Sequence, residues 1–287
     1  MATRSAAPVG RANRPGAHES FLRHRRFRWL KIGLVLALLA LAGFLFIPAA
    51  PGPYGGTWFG YTLGTIGALI IAWLALLGIR KRAMTRGRWS LKAWTSAHVW
   101  LGLALIVIAT LHTGLRLGLN LATLAWTLMM LVILSGVYGI SVYAALPASL
   151  SRGEGEQTQP EMVEGLRAID RQLGDAAQPL PGTEAERVRE AMAQSPFAAG
   201  LRRRLSGHAP DCATLAALAG LEGSQADPAA LARVRSLLGR RRALLEKMRR
   251  QMQLRALLEV WLYVHIPLTV ALIAALAAHI VSVFYYG

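Results

Sequence analysis

The 287-residue sequence predicts an all-α integral membrane helical bundle of five transmembrane helices, with a helical cytoplasmic insert before the last one. Three observations carry that reading. Hydrophobic residues make up 54% of the chain and charged residues only 16%, and the mean hydropathy is positive, a balance that belongs to lipid-embedded chains. Five runs reach the roughly 20 apolar residues needed to cross the hydrocarbon core. The net charge of +17 gathers in two short segments beside those runs: residues 1–31 carry eight Lys/Arg against one Glu, and residues 80–92 carry six with no acid. Charge placed in this way reports membrane topology rather than a nucleic-acid footprint, so no nucleic-acid partner is expected.

In chain order, residues 1–28 form a basic cytoplasmic tail whose composition predicts disorder. Span 1 covers 29–48. Its basic, apolar and small-residue order is that of a signal peptide, but the basic region is long and the apolar run exceeds the usual length, so the helix is expected to be retained. The loop "PAAPGPYGGT" carries no Lys or Arg, whereas "RKRAMTRGRWSLK" after span 2 (58–79) is strongly basic. The positive-inside rule therefore places the N-terminus and the 80–92 loop in the cytoplasm. Span 3 (94–115) runs outward and span 4 (121–145) returns, closing a first membrane block over 29–145. The insert 146–256 is then cytoplasmic, and span 5 (257–285) runs outward within the terminal block 257–287, ending periplasmically in "VFYYG", where interfacial aromatics belong. The expected location is the bacterial cytoplasmic (inner) membrane, with lipid as the first partner.

Within the insert, "PEMVEGLRAIDRQL" and "GTEAERVREAMAQ" place apolar residues at three- and four-residue steps, the pattern of amphipathic helices. Asp227 before Pro228 predicts an N-cap with proline in the first turn. From there one long helix is expected to run into span 5, with Gly239 its weak point. The single cysteine, Cys212, excludes an intramolecular disulfide, a CxxCH haem attachment and a thiolate-held iron–sulfur cluster within the chain.

Of seven histidines, four lie inside predicted spans, and they share one spacing. His98 and His112 are fourteen residues apart on span 3; His265 and His279 are fourteen apart on span 5. Fourteen helical residues rise about 21 Å and end about 40° short of four whole turns, so both imidazoles of a helix face nearly the same way. Both spans run outward, which lets His98 face His265 near the cytoplasmic side and His112 face His279 near the outer side. A trans pair of neutral imidazoles on opposed helices is the axial set of a six-coordinate haem iron, with the apolar macrocycle between the helices. Zinc or copper fits less well, because no Cys, Asp or Glu stands one turn from these histidines; Glu259, the nearest in sequence, is six residues from His265. Two readings without haem stay open. A His-lined transporter or proton relay would need a polar track beyond Thr110, Thr113 and Thr269. A membrane scaffold would use the histidines only as interhelical hydrogen-bonding groups.

The two parallel H-x13-H helices resemble the haem core of the cytochrome b subunit of quinol:cytochrome c reductases and of related di-haem membrane cytochromes b, over spans 2 to 5. The resemblance implies two haem b groups, held by His98/His265 and His112/His279. It implies an electron-transfer subunit of an oxidoreductase rather than a self-contained enzyme, linking a quinone pool or cytoplasmic donor to a partner redox protein. It also implies small residues where the macrocycle approaches a non-ligand helix. Gly64 and Gly78 on span 2, again fourteen apart, match that pattern, whereas Gly136 and Gly139 on span 4 depart from its spacing. Two further departures bear on function. The 108-residue insert (148–255) separates the ligand helices, and the Pro-Glu-Trp-Tyr motif associated with quinol oxidation is absent, so a quinone site is less supported than the haems.

Basic residues near the span ends are candidates for haem propionates: Arg116, four residues beyond His112 and so on the same helical face one turn nearer the outer surface, and Lys92 and Arg255 on the inner side. Each has an ordinary alternative as an interfacial snorkelling residue. Pro267 is read as an ordinary membrane-helix proline, and His208, near Cys212 and Asp211, as a surface histidine. The "RRR" run at 240–242 presents either a solvated face or a surface for anionic headgroups or an acidic redox partner.

Overall fold

The computed structural model describes residues 22, 24–47, 55–82, 90–150, 159–195, 197, 200–207 and 212–286. The expectations for the 1–21 tail, His18, His208 and Asp211 fall outside them. The described residues are helical with no strand: α1 (His24–Phe46), α2 (Trp58–Arg82), α3 (Leu91–His112), α4 (Leu121–Leu150), α5 (Gln159–Ala177), α6 (Gly182–Ala193), α7 (Leu201–Ser206), α8 (Ala213–Gly220) and α9 (Pro228–Tyr286). Five of these, α1 to α4 and α9, are long and apolar enough to cross a membrane. The chain divides into two compact units, Met1–Ile133 with Leu268–Gly287, and Leu134–Pro267, each described by itself below.

In the first unit α3 is the most enclosed span, with Ala97, Leu101, Leu105 and Ile108 buried. One cluster joins Ala40 of α1 and Phe59 and Leu63 of α2 to Ala104, Ile108 and Leu111 of α3. A second joins Leu74 of α2 and Met129 of α4 to Ala97, Leu101 and Leu105 of α3 and Leu272 of α9. The opposite faces carry exposed Leu34, Leu38, Leu69 and Ile273, which suits contact with lipid. The span that differs from the sequence expectation in a way that bears on the site is α3, which runs 91–112 rather than 94–115. The backbone is left-handed at Arg25, Arg26 and Phe27, so the right-handed part of α1 starts close to the expected residue 29. Helix α3 starts on a Ser90 cap that accepts from Ala93 N–H (3.2 Å) and stops at His112, not 115. Gly114 and Leu115, with φ of 61° and 60°, turn the chain left-handed and end the helix. Arg116 therefore lies beyond α3 rather than one turn along its face.

The second unit holds the helical insert. Amphipathic α5 and α6, with α8, bury Leu173, Val188, Ala191, Ala217 and Leu221 against Val234 and Leu238 of α9. Met162 and Leu166 pack on Leu245 and Met248 further along. Asp227 caps α9 as its sequence predicts, accepting from Ala230 N–H at 3.1 Å, and the helix continues unbroken past Gly239 and Pro267. The Arg240–Arg242 run does not form a uniformly solvated face. Arg241 is fully buried, donating to Asp170 Oδ1 (2.7 Å) and Thr214 Oγ1 (2.6 Å), and so ties α9 to α5 and α8.

Candidate functional site

His112 is the last residue of α3, and the final third of α9 brings His279 to it. Their ring centroids are 6.1 Å apart at an interplanar angle of 76°, and both side chains are half-buried. The His112 Nδ1–H donates to the Gly60 carbonyl oxygen at 2.8 Å. A carbonyl can only accept, so Nδ1 carries the proton in this contact, and in the neutral imidazole Nε2 is the nitrogen with the lone pair. Glycine makes the close approach of α2 possible: a Cβ at Gly64 would stand 2.7 Å from His112 Cε1 and 3.2 Å from Nε2. Gly55, just before α2, lies 3.4 Å from the same carbon by the same measure. Gly64 thus seats the imidazole itself. Gly78, its fourteen-residue counterpart, has no atom within 4 Å of the place a Cβ would take.

His98 lies in the same unit, on α3. Its Nδ1–H donates to the Leu74 carbonyl oxygen at 3.2 Å, which fixes the same tautomer as in His112. His265 belongs to the second unit, where α4 forms its surroundings. Its Nδ1 is 2.7 Å from Ser135 Oγ, and a Cβ on Gly136 would stand 3.6 Å from its Cε1. Trp261, one turn earlier on α9, packs beside it with ring centroids 5.1 Å apart. A Cβ on Gly139 would overlap that indole.

Arg116 is exposed beyond the end of α3, and Lys92 is half-buried in its first turn. Exposed Arg255 donates to Gln159 Oε1 at 2.6 Å. No group of three or more His, Cys, Asp or Glu side chains is placed to hold a metal ion among the described residues, whereas a structural or catalytic zinc site takes three or four.

The sequence reading missed Gly60, Ser135 and Trp261. The Gly60 contact is made by a carbonyl, which every residue has, and so left no signal. Trp261 did leave one, since Trp94 precedes His98 and Trp261 precedes His265 by four residues each, and the shared pattern is W-x3-H-x13-H. Trp94 stacks on Trp73 of α2 (4.3 Å, 14°), and Trp73 in turn neighbours Trp29 of α1 at 6.3 Å. No protein family, curated protein or solved structure matches this chain.

Proposed function

We propose that this chain is a transmembrane electron-transfer subunit that binds two b haems, one held by His112 and His279 and one by His98 and His265. The 6.1 Å separation of the His112 and His279 rings carries the reading. A metal–imidazole bond is about 2.1 Å and the ring centre lies about 1 Å further, so a separation of this size is what His112 and His279 would need to hold one iron between them.

The second support is the tautomer. A ligating imidazole holds its other N–H on a carbonyl or carboxylate, which orients the ring and raises its basicity. Gly60 does this for His112 and Leu74 for His98, while Ser135 can accept from His265 in the same sense. Phe59 and Leu63, beside Gly60 and Gly64 on α2, pack with Ile108 and Leu111 of α3 in one buried apolar cluster. Bound between such imidazoles, haem iron supplies reversible one-electron chemistry at a potential tuned by ligand geometry, hydrogen bonding and burial. The chain's own part is to hold the rings. Such a conduit links a quinone pool or cytoplasmic donor to a redox partner protein, across the inner membrane with the insert on the cytoplasmic side.

The test is a dithionite-reduced minus air-oxidised spectrum of the purified protein, with a pyridine haemochrome assay for haem per chain. The reading expects two b haems per chain, falling to one when His112 or His279 is replaced by alanine. Folded protein without haem would refute it and return the histidines to helix packing or a transport path.

A further inference from the structure

Trp261 Nε1 is buried and has no hydrogen-bond partner among the described residues. A donor left unmade in an apolar setting forfeits the hydrogen bond it had in water, so its position calls for a reason. The surroundings show that the indole is placed rather than merely accommodated. Its seat on α4 exists only because residue 139 is glycine, since any Cβ there would fall inside the ring. Within the same turn of α4, Ser135 holds the His265 ring and Gly136 gives it room. Trp261 and His265 lie one turn apart on the same face of α9, their centroids 5.1 Å apart. A phenylalanine would fill the apolar seat without an unpaired N–H.

The geometry points to Trp261 Nε1–H as a hydrogen-bond donor to the ligand that His265 holds. On the haem reading of His265, on which this inference rests, the acceptor is a propionate carboxylate. The other substituents of a b-type macrocycle, methyl and vinyl, cannot accept a hydrogen bond. Indole is donor-only and does not titrate, so its effect has one sign. Where the carboxylate is ionised with or without the donor, the N–H bond offsets part of its negative charge, which would raise the potential of that haem relative to one without the donor. Trp261 is thus a positioning residue that sets the potential of one haem and leaves the other alone.

Redox titration of the intact, haem-loaded protein tests this, comparing wild type with Trp261→Phe. A second variant carries β-(3-benzothienyl)alanine at position 261, which keeps the indole shape and lacks only the N–H. The expected result is two haems per chain, with one midpoint potential shifted downward and the other unchanged, read at a pH high enough that the potential is independent of pH in every variant. The pH at which that potential becomes proton-dependent should shift upward. Two haems with both potentials unchanged in the benzothienyl variant would overturn the role of Trp261 while leaving the electron conduit standing. A wild-type protein that binds no haem would overturn the conduit, and this inference with it. Should Trp261→Phe lose a haem through misfolding, the benzothienyl variant decides.

Discussion

Replacing Gly64 with alanine is the sharpest perturbation of the His112 site. The new Cβ would stand 2.7 Å from His112 Cε1 and 3.1 Å from Nδ1, and ordinary contact begins at 3.4 Å, so ring and helix must separate by about 0.7 Å. If the ring moves, His112 leaves the position from which it would hold an iron, where ligand distances are matched to about 0.2 Å. If α2 moves instead, it carries the Gly60 carbonyl with it. The 2.8 Å hydrogen bond that fixes the tautomer then stretches beyond the roughly 3.2 Å limit of such bonds. Either response weakens His112 as a ligand. Pyridine haemochrome should therefore give about one haem per chain for Gly64→Ala, with thermal unfolding of the purified protein as the control for folding. Gly78→Ala, where no atom lies within 4 Å, should keep both haems. A Gly64→Ala protein with two haems and an unchanged reduced spectrum would refute the reasoning, because the ring would then not need the space that glycine leaves.

Three further outcomes follow from other residues. Ser135→Ala removes the partner of His265 Nδ1 and should weaken retention of one haem about 10–100-fold, measured by haem loss to an apoprotein scavenger. Arg241→Ala strands Asp170 and Thr214 in the insert. It should lower the stability of 159–250 by about 3 kcal/mol, the low end for a buried pair because Asp170 is 24% exposed, and hydrogen exchange on those helices reads it directly. The Cys212 thiol is buried, which works to raise its pKa, but the Arg249 hydrogen bond and charge and the N–H groups of Leu215 and Thr214 outweigh that and hold it below its ordinary value. It should nevertheless react slowly with iodoacetamide in the native protein, since it is only 3% exposed, and rapidly once the insert unfolds; fast native labelling would contradict the packing.

The five spans were legible because a run of about 20 apolar residues seldom occurs outside a membrane helix. Their ends were not. Nothing in "LHTGLRLG" says that Gly114 and Leu115 turn left-handed, so Arg116 was placed on a helical face that the structure ends four residues earlier. The structure brings His112 and His279 together, a pair to which the shared fourteen-residue spacing draws attention. The groups that orient the rings were harder to see. Gly60 acts through its backbone, and Ser135 is one hydroxyl within a long apolar run. Gly64 was singled out for its spacing, yet its contact is with the imidazole, a distinction that needs three dimensions. Arg241 was hidden in a charged run, although its place on the buried stripe of Leu231, Val234, Leu238, Leu245 and Met248 marks it as inward-facing at helical spacing.

Electron passage across a sealed bilayer tests the central claim most directly. Purified protein is reconstituted into liposomes that enclose ferricyanide, and a membrane-impermeant reductant is added outside. Bleaching of the trapped ferricyanide at a rate proportional to the protein content, and lost in the His112→Ala and His279→Ala variants, is the predicted result. A protein loaded with two haems that leaves the enclosed ferricyanide oxidised would contradict the account.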